Sequence, residues 1–248
     1  MMQSLISGGT THYGQVAGIL MLDSMIPRIP GDPGHAATFE FPVQYGVVRE
    51  FQFEDLVEIR RENLNRILAA AVELQHRGVN FVAADCGLFS VFQADIADVL
   101  DIPFIGSSLN LIPLLAGFLN SSKKIGLITG HTGLLTEAHL QAAGAAPDRL
   151  VIRGMEHSQE FQRVVIKRGL KLNPEAMRTG VIAAVKDLFR SNESIGAIVL
   201  ECTNLISFRQ DIQKRFRLPV FDMVSLIEFF ADGYRLRDFK SDYIQPSP

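Results

Sequence analysis

The 248-residue chain has two cysteines, Cys86 and Cys202, set 116 positions apart, each after an apolar run of strand length and before a helix-length segment. A thiol ordinarily titrates near a pKa of roughly 8.5, and unpaired amides at a helix start favour its thiolate. Taking a proton from a carbon next to a carboxylate needs a base on one face, and inverting that carbon needs an acid on the other. One thiolate and one thiol, facing each other across a cleft, meet that need. An unpaired cysteine is also among the most buried residue types and often only packs, so the argument rests on the pairing.

The pairing comes from a repeat. Residues 79–118 and 195–234 align without a gap: Cys86 falls on Cys202, Phe92 on Phe208, Asp95 on Asp211, Ile96 on Ile212, Pro103 on Pro219 and Gly117 on Gly233. Each copy reads as strand, Cys, helix, Pro-bearing strand and helix. Apolar runs without alternation suit parallel strands covered on both faces, and ligands of such sheets bind at the carboxyl edge. The expected fold is α/β, with two Rossmann-like lobes of parallel strands related by a pseudo-twofold axis and the active site in the cleft between them. The lobes are expected over 1–120 and 121–248, divided at the polar run Asn120-Ser121-Ser122-Lys123-Lys124, with an exchange of helices near 223–236.

Taken in order, Gln15–Asp23 reads as the first strand and ends at Asp23-Ser24. The proline-rich stretch 26–34 cannot be helical and reads as a long loop, either a binding edge or a plain crossover. Arg28 and Arg49 near it suit solvation or, in a planar fork, a second carboxylate. A strand is expected over Phe39–Val48 and one long helix over Phe53–Arg77, stopped by Gly78. The second lobe opens at Ile125-Gly126-Leu127-Ile128-Thr129, matching Ala17-Gly18-Ile19-Leu20-Met21. Helices over Thr132–Ala143, Glu160–Arg168 and Pro174–Arg190 and a strand at Leu150–Ile152 follow, and the polar tail beyond Leu236 is expected to fray.

With 47% hydrophobic and 21% charged residues, the chain can bury a large core. A net charge of −3 provides no basic footprint for nucleic acid. No apolar run approaches the roughly 18 to 20 residues that span a bilayer, and residues 1–14 show no basic segment followed by an apolar one. A cytoplasmic protein with reduced thiols is expected. The six histidines show no ligand spacing, so no metal is expected.

These residues resemble the aspartate/glutamate racemase superfamily, cofactor-independent enzymes that include aspartate, glutamate and hydantoin racemases. Val199-Leu200-Glu201-Cys202-Thr203-Asn204-Leu205 resembles its second signature, an apolar strand followed by Gly-Cys-Thr, and Asp85-Cys86-Gly87 the first, usually Cys-Asn-Thr. Gly126-Leu127-Ile128-Thr129-Gly130-His131-Thr132 is similar to its Leu-Ala-Thr-x-Gly-Thr segment, and Asp23-Ser24 to the Asp-Ser of glutamate racemases. The resemblance implies an amino-acid racemase acting on a small carboxylate. Cys86 and Cys202 exchange roles as base and acid, Asp23, Ser24, Gly87, Leu88, Thr132, Thr203 and Asn204 line the substrate pocket, no pyridoxal phosphate or metal takes part, and the enzyme is a homodimer. The chain departs from the pattern at Gly87-Leu88, which stand for Asn-Thr, at Glu201, which stands for Gly, and at Asp85. Either acid raises a thiol's pKa if it faces it, although strand alternation points each away from its neighbouring Cys.

Other superfamily chemistries stay open, namely hydantoin racemisation, cis-trans isomerisation of maleate and arylmalonate decarboxylation. From another class, a non-catalytic module that binds a small molecule also fits two lobes.

Overall fold

In the computed structural model, residue 9, residues 12–191 and residues 194–237 are described. The expected polar tail lies almost wholly outside them, as does most of the first segment. The first sheet is built from β1 (Ala17–Leu22), β2 (Val43–Val48), β3 (Phe81–Ala84) and β4 (Phe104–Ile105), in the order β2-β1-β3-β4 and parallel throughout. Between β2 and β3 the chain forms α1 (Phe53–Val57) and α2 (Leu64–His76), and α3 (Gln93–Ala97) precedes β4.

After α4 (Leu111–Phe118) the arrangement is repeated. β5 (Lys124–Thr129), β6 (Leu150–Gly154), β7 (Ile195–Leu200) and β8 (Val220–Phe221) form a second parallel sheet in the order β6-β5-β7-β8. Its helices are α5 (Glu137–Ala142), the short α6 (Gln159–Phe161), α7 (Pro174–Ser191), α8 (Arg209–Phe216) and α9 (Met223–Gly233). The two sheets correspond strand for strand. The protein is thus α/β with two Rossmann-like lobes, and every residue of β1 and β3 is buried, as strands covered on both faces require.

The lobes share a core. One cluster of buried side chains runs from Ile19, Phe81 and Ala83 of the first sheet to Leu127 and Val199 of the second. Helices cross between them: α4 packs on β5 and β7, while Phe230 and Tyr234, in and just after α9, lie 5.7 and 6.2 Å, centroid to centroid, from Phe81. A shared apolar core of this kind holds the facing strand ends in fixed relation.

Three expected helices are shorter than their periodicity suggests. The stretch 53–77 breaks after α1, where Ile59 takes a left-handed φ of 51°, a costly conformation for a β-branched residue. Buried Asp55 supports the break, accepting from Gln52 N, Arg60 Nη1 and Asn63 Nδ2 at 2.7, 2.9 and 3.1 Å. The helix expected from Thr132 starts only at Glu137, capped by Thr136, and the one expected from Glu160 is a single α-turn followed by a π-helix over Gln162–Ile166. The second and third interruptions lie beside the cleft, whose wall includes His131, Leu134, Phe161, Val165 and Ile166.

Phe81 is fully buried where β3 meets α9. Replacing it by Ala should lower the unfolding free energy by about 3 to 5 kcal/mol in urea titration. A loss below about 1 kcal/mol would show that α9 contributes little to the first lobe.

Candidate active site

Both cysteines stand two residues past the end of strand pairing. β3 ends at Ala84 and leads to Asp85-Cys86, and β7 ends at Leu200 and leads to Glu201-Cys202. Each Cys then caps a 3₁₀ turn, Gly87–Phe92 or Thr203–Phe208. Both are free, keep some accessible surface and line the same cavity. Its free space, about 80 Å³, suits a molecule of a few heavy atoms and excludes a polymer.

The cavity wall is mostly apolar, with Leu22, Ile26, Leu88 and Val165 alongside the rings of Phe53 and Phe161. Ser24, Thr203 and Asn204 also line it, so with Leu88 and the two cysteines the structure brings together most of the residues expected there. Gly87 lies behind the wall: a Cβ on it would stand 2.4 Å from Glu201 Oε1. Asp23 and Thr132 are placed elsewhere. The Asp23 carboxylate turns toward the segment after β2 and accepts from Glu50 N at 2.9 Å, with exposed Arg49 3.9 Å away. The Thr132 hydroxyl donates to Glu156 at 2.6 Å in a separate groove on the second lobe.

The polar side of the cavity is organised by Arg28, from the proline-rich loop. Only 12% exposed, it bonds Asp32 through Nη1 and Asp85 through Nη2, both at 2.7 Å. Solvation is therefore not its role. Asp32 in turn accepts from Asn204 Nδ2 at 3.0 Å, and Cys202 Sγ donates to Asn204 Oδ1 at 3.7 Å. Gly31, with φ of 103°, lets the loop lie directly on Ser207, whose Cα a Cβ there would approach to 2.7 Å. Thr203 crosses the cleft to donate to the carbonyl of Asp85. The loop is a wall of the site, and the hydroxyl and amide expected to hold substrate are engaged with protein.

The electrostatics reverse one expectation. Burial pushes the Cys86 thiol well above its ordinary pKa, and the charges of Glu201 and Asp85 push it further. Burial and then Glu201 do the same to Cys202. The amides of Leu88 and Asn204 favour the thiolates but are outweighed. Alternation does not keep the acids away, because strand pairing ends before Asp85 and Glu201, and both line the cavity with the thiols. Glu201 is itself raised by burial, against a 2.7 Å bond from Thr129 Oγ1 to its Oε2.

Among the described residues no group of three or more His, Cys, Asp or Glu could hold a metal, and no helix is long and apolar enough to cross a membrane. Residues missed in the sequence include Gln52, Phe53, Phe161 and Arg168. The first two follow the strand end after β2, and the others lie in the interrupted helix before α7. Nothing in the sequence marked either place, because the apolar period runs on through both.

Residues 50–227 match the family pattern described as Asp/Glu/Hydantoin racemase. The chain belongs to this family. This family member is 29% identical over 225 residues to a dimethylsulfoniopropionate lyase of Durusdinium sp. clade D, covering 88% of this chain and 74% of that protein. It is 29% identical over 219 residues to dimethylsulfoniopropionate lyase 3 of Emiliania huxleyi, where it covers 84% of itself and spans 57% of the relative's length. Among solved structures, allantoin racemase from Klebsiella pneumoniae superposes with a TM-score of 0.56 at 17% identity, covering 88% of this chain and 87% of that one. That likeness shows the fold alone.

Two outcomes follow from the geometry. Alkylation of Cys86 and Cys202 by iodoacetamide should keep rising by about tenfold per pH unit from pH 7 to 9, since only the thiolate reacts; levelling off below pH 8 would mean that the thiols are activated rather than suppressed. Replacing Arg28 by Met should cost about 3 to 5 kcal/mol in urea unfolding, because it leaves Asp85 and Asp32 buried without their cation.

Proposed function

We propose that this family member removes a proton from the carbon next to a carboxylate and expels the group on the following carbon, acting on dimethylsulfoniopropionate as a lyase. The observation that carries this reading is the absence, among the described cavity residues, of an uncommitted cation for a second carboxylate. Arg28 is held between Asp32 and Asp85, His131 turns its Nδ1 to the Gly133 amide and to Glu156 3.7 Å away, and the one other Arg or Lys on the wall is Arg168, bonded through Nη2 to Glu54 and lying 6.0 Å over the Phe53 ring. The distal carboxylate of aspartate or glutamate would instead meet the acids Glu201 and Asp85. An apolar wall suits methyl groups, and the relatives named as dimethylsulfoniopropionate lyases support the same choice.

The chemistry is brief. The substrate's one carboxylate takes the remaining donors of the Arg168 fork. Cys86, as thiolate, takes a proton from C2, the released pair forms the C2–C3 double bond, and the C3–S bond breaks with its electrons on sulfur. Dimethyl sulfide leaves neutral and acrylate remains. The Cys202 thiol donates to Asn204 Oδ1 at 3.7 Å, which favours Cys86 as the base. Burial first and the nearby acids second favour the protonated thiols; a positive substrate offsets the acids' part, so the thiolate forms more readily once it is bound.

A second reading, amino-acid racemisation, is supported by the two thiols lining one cavity from equivalent positions of the two lobes, because stereoinversion uses both. One experiment separates them. The protein is given dimethylsulfoniopropionate, with dimethyl sulfide read by gas chromatography and acrylate by proton NMR, and in parallel D- and L-amino acids in D2O. Equal release of both products is expected, with Cys86→Ser lowering it by about 10²-fold or more and Cys202→Ser by less. Deuterium uptake into an amino acid without dimethyl sulfide would replace the lyase by the racemase.

A further inference from the structure

The two largest departures from the family's signatures meet in space. Where the family pattern has Asn after the first Cys, this chain has Gly87, and where it has Gly before the second, this chain has Glu201. A Cβ at 87 would lie 2.4 Å from Glu201 Oε1, 2.6 Å from its carbonyl oxygen and 2.9 Å from its Cγ. The Glu201 side chain thus depends on residue 87 having none. It lines the cavity, and its charge raises both thiols. The residue is 3% exposed. Thr129 Oγ1 holds one oxygen at 2.7 Å, the Gly130 amide also donates to the carboxylate, and no Arg, Lys or His of the described residues forms an ion pair with it.

An enclosed carboxyl aimed into a cavity and given no cation by the protein is costly to ionise unless the ligand supplies the charge. We infer that Glu201 is the cation-recognition residue of this site, selecting small carboxylates that carry a fixed positive charge on the β-carbon, and that the Gly87–Glu201 exchange makes room for it. This rests on the proposed reaction for its substrate class: in dimethylsulfoniopropionate the group at that position is the sulfonium. The preference is a matter of binding, so it can be read without turnover.

The probes are 3-(trimethylammonio)propanoate and 4,4-dimethylpentanoate, which have the same outline and carboxylate and differ in the charge of the branched end. Isothermal titration calorimetry on the native protein should find the charged probe bound tighter by about tenfold or more. In Glu201→Gln, which keeps the volume and an acceptor for Thr129, the ratio should fall to near one while the affinity for 4,4-dimethylpentanoate stays within about threefold. If that variant does not fold by circular dichroism, the double variant Gly87→Asn with Glu201→Gly, restoring the family arrangement, serves in its place. Equal binding of the two probes by the native protein overturns the inference, as does a preference that survives in a folded variant. Dimethyl sulfide release, measured separately, distinguishes the two ideas: a Glu201-dependent preference without release refutes the lyase alone, and release without the preference refutes the cation role alone.

Discussion

The ion triad of Arg28, Asp85 and Asp32 is the constraint on which the rest of the site depends. A guanidinium this enclosed is tolerable only if carboxylates replace the water it loses. One comes from the end of β3 and the other from the loop itself. Because Asp32 also holds Asn204, which accepts from Cys202, the triad links the first lobe's strand end to the second lobe's thiol. The proline-rich loop is thereby fastened at both ends of its reach, and the cavity acquires a polar side beside a largely apolar wall.

The same acids set the resting state of the thiols. A 3₁₀ turn of six residues offers each sulfur one amide, a weak stabilisation compared with burial beside Glu201 and Asp85. Burial and these acids therefore favour the thiol over the thiolate at both positions, and in the proposed reaction a cationic substrate offsets the acids. An amino-acid racemase can also use a cationic substrate. The proposed choice of substrate turns on the commitment of Arg28 to protein carboxylates.

The repeated strand, Cys and turn were legible because duplication preserves register: Cys86 and Cys202 fall at the same place in matched sheets, and continuous apolar strands such as Ala17–Leu22 have one reading, burial on both faces. That Ser24, Leu88, Thr203 and Asn204 line the cavity is what the family resemblance implied. Helix lengths at 53–77, 132–143 and 160–168 did not, since each apolar period continues through residues that tertiary partners divert, as Asp55 does before Ile59. Asp23 and Thr132 were misplaced for a related reason: past a strand end, a side chain's direction is set by the nearest partner, Glu50 or Glu156, rather than by alternation.

By itself, then, the sequence determined the two-lobed parallel α/β architecture and the pairing of the thiols, because hydrophobic periodicity and an ungapped repeat act locally and survive any arrangement of loops. Only the tertiary structure decided the character of the cleft. Arg28 became an internal strut, Thr203 a crossing bond, and Glu201 a cavity acid made possible by a glycine 114 positions away. Such outcomes depend on the distances between groups remote in sequence and on the water excluded around them, and a linear pattern encodes neither.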